Sequence, residues 1–493
     1  MKFQKMVLML LLCALLSACG AEDQQVITDN ETTLLVENTE APVTDVRYAI
    51  KEELPEKDYG GAPIRILMRN STSPDWIGDM FSEEETGEVI SDAVYNRNLA
   101  VSERFDVTFE LIRSSHHNYE TDGIAAILAG EDAYDIIVPH ARAAFIYSEQ
   151  NLCLDWNSEL PYVDLDKPWW DQDARESFEI NKKLFPMVGD LSYQALAQTD
   201  CVLFNKAIFD DFGEEYPYQK VIENKWTFDE FSRLVRLCSE DVNGDGAYKP
   251  EEDVFGYATY QWVGPIQALT QGGARIVDKD VSGKVFLSIY IETTVEVYEK
   301  YFDLLYSDNS YLELSRNGSI KTFDSRQLFA EGRAMFIDCA LNDVSFMRDM
   351  KDDFGIIPAP KFDSSFDRYY TNVDSGTNLF IVPITVGDAE KVSIILEALA
   401  AEGYREVIPA YYEVALQNKY ARDDLSVQML DIIKEGRVFD LGYYYCGGTL
   451  GSTGKHLAAP ENKNKSFTTF YAENETVVKA ALDKINKEYG TDK

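Results

Sequence analysis

Hydrophobic positions along the chain switch between a period of two and a period of three to four. Just after Pro63, Ile64, Ile66 and Met68 alternate with Arg65 and Leu67, the pattern of a strand. Val94, Val101 and Phe105 then share one side of a predicted helix over 91–105. Val107-Thr108-Phe109-Glu110-Leu111 alternates as a second strand. A short helix through Ile124, Ile127 and Leu128 leads to the apolar strand Tyr134-Asp135-Ile136-Ile137-Val138. Strand, helix, strand, helix, strand is the rhythm of a parallel α/β sheet, because parallel neighbours need a crossover between them.

The middle of the chain predicts a further strand at Val202-Leu203-Phe204, ending in Asn205-Lys206. Trp226-Thr227-Phe228-Asp229-Glu230 opens a helix, with Thr227 and Glu230 at capping-box spacing. Phe231, Leu234, Val235 and Cys238 continue its apolar face, and Val295, Tyr298, Phe302 and Leu305 mark another helix over 295–306. Short apolar strands return at 334–337, 354–358 and 379–383. Val392, Ile395, Leu396 and Leu399 stripe one closing helix, and Val478, Ala481, Leu482 and Ile485 the last. No repeat shows at a fixed period.

The start of the chain changes the picture. Lys2 and Lys5 precede an unbroken apolar run over 6–16, followed by Ser17, Ala18 and Cys19. The run is too short to span a bilayer and fits a secretory signal. Residues 19–58 are polar and acidic, as in a flexible tether. Among 493 residues, 85 acidic side chains outweigh 46 basic ones and give a net charge of −39. That balance excludes nucleic acid as a partner and disfavours a polyanionic ligand; a neutral or cationic ligand fits better. Beyond Cys13 and Cys19, the cysteines are Cys153, Cys201, Cys238, Cys339 and Cys446, widely spaced and without a C-x-x-C motif. They read as buried thiols rather than a disulfide framework.

Leu16-Ser17-Ala18-Cys19 resembles the lipobox of bacterial lipoproteins, which implies that Cys19 becomes the first mature residue and carries lipid on its sulfur. Further along, the segments resemble the extracellular solute-binding proteins of ABC importers, in the family of maltose- and oligosaccharide-binding proteins. Val94-Tyr95-Asn96-Arg97-Asn98 with Phe105-Asp106-Val107 is similar to that family's first helix and second strand, and Tyr134-Asp135-Ile136 to its third strand. Gly189-Asp190-Leu191-Ser192 with Leu203-Phe204-Asn205-Lys206 resembles the first crossover between lobes, and Trp226-Thr227-Phe228-Asp229-Glu230 the W-T-x-x-E segment after it. Ala334-Met335-Phe336-Ile337 and Gly355-Ile356-Ile357-Pro358-Ala359-Pro360 resemble the return to the first lobe, and Ser375-Gly376-Thr377-Asn378 the final hinge.

The resemblance implies a two-lobed periplasmic-binding-protein-like α/β fold of type II, with lobes joined by crossover hinges. The division is then a signal peptide over 1–18 and a tether over 19–58. The first lobe takes 59–195 and 335–375, and the second takes 196–334 and 376–493 with the C-terminal helices. The implied function is capture of a small solute, an oligosaccharide, by lobe closure and delivery to importer permeases. The protein would be a monomer, lipid-anchored on the outer face of a Gram-positive cell membrane. A surface-anchored glycan-degrading enzyme and a ligand-presenting sensor subunit stand as alternatives. The enzyme predicts a cleft carboxylate pair with one raised pKa.

Candidate site residues follow from chemistry and from the resemblance. Aromatic rings stack on the apolar faces of sugars, and any one of them serves equally as core packing. Trp262 is preferred because the corresponding part of related proteins faces the cleft; Tyr443 and the adjacent pair Trp169 and Trp170 come next. Polar candidates sit at strand ends: Asn70, His140, Arg142, Asp338 and Asp374. The family often places a carboxylate near Arg142, where this chain has Ala141. Asp241, Asn243, Asp245, Ala247 and Glu252 have the spacing of a calcium loop, read as a structural Ca²⁺ site or else as a plain turn; Lys249 departs from the pattern. No cofactor is implied for function. Enzyme motifs such as H-E-x-x-H and G-x-S-x-G do not occur, and Gly454-Lys455 fails as a phosphate loop because His456 follows.

Overall fold

The alternation after Pro63 builds strand β1 (Ala62–Met68). Helix α1 (Val89–Phe105), strand β2 (Val107–Arg113), helix α2 (Thr121–Leu128), strand β3 (Ile136–Val138) and helix α3 (Ala141–Glu149) follow. The structure is a computed structural model that describes residues 45–69, 79–114, 121–315, 323–445 and 449–491. The three strands pair in parallel in the order β2-β1-β3, with Ile66 level with Leu111 on one side and Ile136 on the other. Ile64, Ile66, Leu67 and Met68 are all buried, so apolar matter covers both faces of β1, as is usual in parallel sheets. Arg97 of α1 is also fully buried, its guanidinium donating to the main-chain oxygens of Asp79, Met80 and Leu191.

The second sheet contains β4 (Asp200–Asn205), β5 (Phe255–Tyr260), β6 (Ser310–Glu313), β7 (Ala334–Ala340) and β8 (Phe354–Ile357) in the order β8-β4-β7-β5-β6. β5 runs parallel to β6 and β7, while β4 is antiparallel to β7 and β8. Helices α4 (Phe228–Leu237), α5 (Gly264–Gln271), α6 (Glu292–Leu305) and α7 (Ser325–Ala330) accompany it. Thr227 caps α4 by accepting the Glu230 N–H. The Glu230 carboxylate pairs with Lys220 and Arg233 instead of reaching back, so only half of the predicted capping box forms.

After β8 come helices α8 (Ala389–Glu402), α9 (Leu441–Tyr445), α10 (Thr453–Leu457) and α11 (Phe467–Tyr489). Here the predicted lobe boundaries are corrected. β7 and β8, assigned to the first lobe, pair with β4 in the second sheet. The segment 378–383, assigned to the second lobe, bridges the first-sheet side through Ile137–Ile381, His140–Asn378 and Cys153–Pro383, without forming a regular strand. Val392 and Leu399 of α8, and Val478 and Leu482 of α11, share the core of Ile64 and Val101. An apolar strand is legible from its own residues, but its sheet is decided by a partner strand that local pattern does not name.

The tether is corrected too. Ile50 and Leu54 pack against the first core, and Glu52 pairs with Arg405 at 2.5 Å with both side chains buried. Between the sheets, the chain crosses beside itself: Thr199 bridges Val373, and Asp374 N donates to Gln198 O at 2.8 Å. The fold is α/β, with two lobes joined at these crossovers.

Candidate ligand-binding site

Ligands of open α/β sheets collect at the carboxyl ends of parallel strands. A cavity of about 240 Å³ lies there, at the ends of β5 and β7 and the start of β4. Gln198 and Asp200 come from the first crossover, Tyr260 and Trp262 from the end of β5, Asn342 and Asp343 from beyond β7, Arg326 from α7 and Asp374 from the return crossover. Donors, acceptors and one large aromatic surface therefore meet in one volume.

Trp262 is half-buried and lines the cavity. The Arg142 guanidinium lies 4.8 Å from its ring centre and the Lys455 ammonium 5.1 Å, both in cation–π range. Arg142 belongs to α3 beside the first sheet, so this stack joins the two lobes across the cleft. Its Nη2 donates to Ser375 Oγ at 2.8 Å, while its Nε is buried without a hydrogen-bond partner among the described residues.

Asp374 lines the cavity, and its carboxylate accepts from Tyr443 Oη at 2.5 Å and from Gly376 N at 2.6 Å. Tyr443 itself is buried behind Asp374 rather than presented to the cavity. Burial, and then the Asp374 charge, pushes its phenol pKa far up, so it acts as a donor that orients the carboxylate. His140 caps α3, its Nδ1 accepting from Arg142 N at 3.3 Å. Burial and then the charges of Arg69 and Arg142 hold its pKa well below the usual imidazole value, so it is neutral. Its role is to set Arg142, one step back from the cavity.

Three predicted residues are placed elsewhere. Trp169 and Trp170 are buried in the first core, where their indole N–H groups donate to the two carboxylate oxygens of Glu397 at 3.0 and 2.9 Å. Their rings cannot meet a ligand. Asp338 faces inward under α5, accepting from Tyr257 Oη, and a Cβ on Gly264 would lie 2.4 Å from its Oδ2. Burial pushes its pKa up to about 7. Asp338 and Ala340 share one face of β7, and Gly264 at the start of α5 covers that face at Asp338 while Ala340, at the strand end, lines the cavity. Asn70 and Cys19 lie outside the described residues, as does the 1–18 signal.

The calcium-spaced loop is folded on its own backbone. Asp241 accepts from Gly244 N and Gly246 N, and Asn243 donates to Glu252. The Lys249 ammonium bonds Asp245 at 2.6 Å and Glu252 at 3.2 Å, where a divalent ion would need those oxygens. Among the described residues no cluster of metal ligands forms.

Several wall residues escaped the sequence reading. Tyr260 stands two residues before Trp262 and was legible from strand alternation. Asp200, a carboxylate opening an otherwise apolar strand, was a readable anomaly. Arg326, Asn342 and Asp343 carry no local signal.

A scan against protein-family models and a search of curated proteins return no match to this sequence. Solved structures do match in fold. UgpB from Mycobacterium tuberculosis, solved with glycerophosphocholine, superposes at TM-score 0.57 with 16% identity over 86% of this chain and 100% of that one. The GacH receptor of Streptomyces glaucescens, solved with acarbose, gives 0.55 and 12% over 87% and 99%. The ABC substrate-binding protein Lmo0181 from Listeria monocytogenes, solved with cycloalternan, gives 0.52 and 14% over 87% and 99%. The chain has the two-lobed, periplasmic-binding-protein-like fold of these proteins.

Proposed function

We propose that this protein is the solute-binding component of an ABC importer and captures a carbohydrate between its lobes. The observation that carries the reading is the cavity at the crossovers, which Trp262 lines together with Asp200, Asp374 and Asn342. Sugars need this combination, an aromatic surface for the ring and acceptors for the hydroxyls. The volume of about 240 Å³ suits a short oligosaccharide end or a single ring in this conformation. The likeness to solved sugar-binding proteins of ABC transporters supports the same reading. In it, Cys19 carries lipid, the protein works as a monomer at the outer face of the membrane, and permeases receive the solute.

Calorimetry with mono- and oligosaccharides tests this. Trp262→Ala is expected to weaken binding by about 1–3 kcal/mol, the range for a buried aromatic anchor. Unchanged affinity removes Trp262 from the site. One observation favours the glycan-degrading alternative: Asp200 and Asp374 are cavity carboxylates, and burial raises the Asp200 pKa well above its ordinary value. Mass spectrometry of the bound sugar separates the two, since a binding protein returns it unaltered.

A further inference from the structure

We infer that Asp200 and Asp374 form a cation subsite in the cleft, shaped for the protonated amine of an amino sugar. This deepens the carbohydrate reading and rests on it for the ring, though not for the charge.

Asp200 is 2% exposed and opens β4 at the cavity wall. Its Oδ2 accepts from Asn372 Nδ2 at 3.0 Å, but its Oδ1 is buried with no hydrogen-bond partner among the described residues. Buried carboxylate oxygens are normally paired, and an unpaired one carries the full desolvation penalty. Asp200 lines the cavity, and a donor on a bound ligand is the partner that its unpaired oxygen lacks.

The surrounding charges favour a cation over a hydroxyl. Arg326, the one basic side chain on the wall, is already paired with Asp324 at 2.8 Å and Asp343 at 3.1 Å. Among the described residues, the donors to the Asp374 carboxylate are neutral, Tyr443 and Gly376. Asp338, on β7, also faces Asp200 through space, bonded to Tyr257. Arg142 and Lys455 are stacked on Trp262. Neither Asp200 nor Asp374 has an ion-pair partner among the described residues.

Burial, reinforced by the charges of Asp374, Asp338 and Asp343, raises the pKa of Asp200 well above the usual carboxylate range. That shift favours the protonated acid, and an incoming ammonium favours the carboxylate. Amine binding releases a proton and tightens as pH rises toward neutrality; binding of a neutral sugar does neither.

The experiment is calorimetry of the full chain with glucosamine, glucose and N-acetylglucosamine, from mildly acidic to neutral pH in buffers of different ionisation heat. Putrescine serves as a ring-free amine. The expected result is glucosamine binding about 10–100-fold tighter than glucose, as for a hydrogen bond between charged groups. A proton is released, and Asp200→Asn erases the preference for glucosamine over glucose, whatever it does to glucose affinity itself. Equal affinity for glucosamine and glucose, or a preference that survives Asp200→Asn, overturns the subsite and leaves the carbohydrate reading standing. Putrescine binding with the same Asp200 dependence, and no sugar binding, keeps the subsite and overturns the sugar. Binding of none of the four overturns both. If Asp200→Asn does not fold, Asp374→Asn is read by the same criteria.

Discussion

Single residues in this protein take their roles from what faces them. Glu397 lies on α8, striped by Val392, Ile395, Leu396 and Leu399, and its sequence neighbourhood marks it as an ordinary helix-surface acid. Its two oxygens instead receive the indoles of Trp169 and Trp170, and burial raises its pKa from 4.5 to about 7. Between those values the unfolded chain releases a proton that the folded chain retains, so this group's contribution to stability falls as pH rises through that window. Glu397→Gln removes the titration but turns an amide N–H₂ toward one indole N–H. We expect it to cost about 1–3 kcal/mol, the penalty of a buried unsatisfied donor. The gap to the parent should be widest at low pH and narrow toward neutrality. Urea unfolding across pH checks this, and a gap that does not vary with pH rejects the assignment. The adjacent tryptophans looked like cleft aromatics because nothing beside them in sequence points to Glu397. A residue's type is visible in sequence, while its partner, here 227–228 positions away, is not.

Elements are placed by close approaches that composition does not reveal. Gly454, which invited comparison with a phosphate loop, serves packing: a Cβ there would lie 1.6 Å from Pro265 O, at the contact of α10 with α5. The next residue, Lys455, reaches Trp262. Gly454→Ala must push α10 away from α5, with an expected loss of about 1–3 kcal/mol or more from overpacking and a weaker ligand complex. Thermal melts with calorimetry on the same sample check it; a variant with parental stability and affinity shows that α10 moves freely. Most elements were legible: β1, α1, β2, β3, α4 and α11 follow the predicted periodicities to within a few residues at most ends. Over 379–383 the apolar run was read as a strand, but its backbone bonds go to several separate partners, Ile137, Cys153 and Met187 among them. Periodicity registers which residues are buried, not whether one continuous neighbour pairs with them.

At the scale of the molecule, the cleft works only if ligand binding and lobe closure are coupled, since a ligand shifts only an equilibrium whose two states it binds unequally. The Arg142–Trp262 stack spans the lobes without a ligand. A cation–π contact of this kind contributes about 0.5–2 kcal/mol, which changes an open-to-closed ratio by about 2- to 30-fold. We expect small-angle scattering to show a smaller radius of gyration for the parent with bound sugar than without, and a larger one for ligand-free Arg142→Ala than for the ligand-free parent. Identical curves in all three states argue against hinge closure.

The sequence by itself determined the alternating α/β elements and the acidic balance of the chain, because each depends on residue type and local spacing. Tertiary structure alone decided that β7 and β8 join the second sheet, that Trp169 and Trp170 are core, and that Asp200 faces a cavity with an unpaired oxygen. Those facts depend on which backbones pair and which side chains meet across hundreds of positions, and burial gives a charge its meaning only once its neighbours are known.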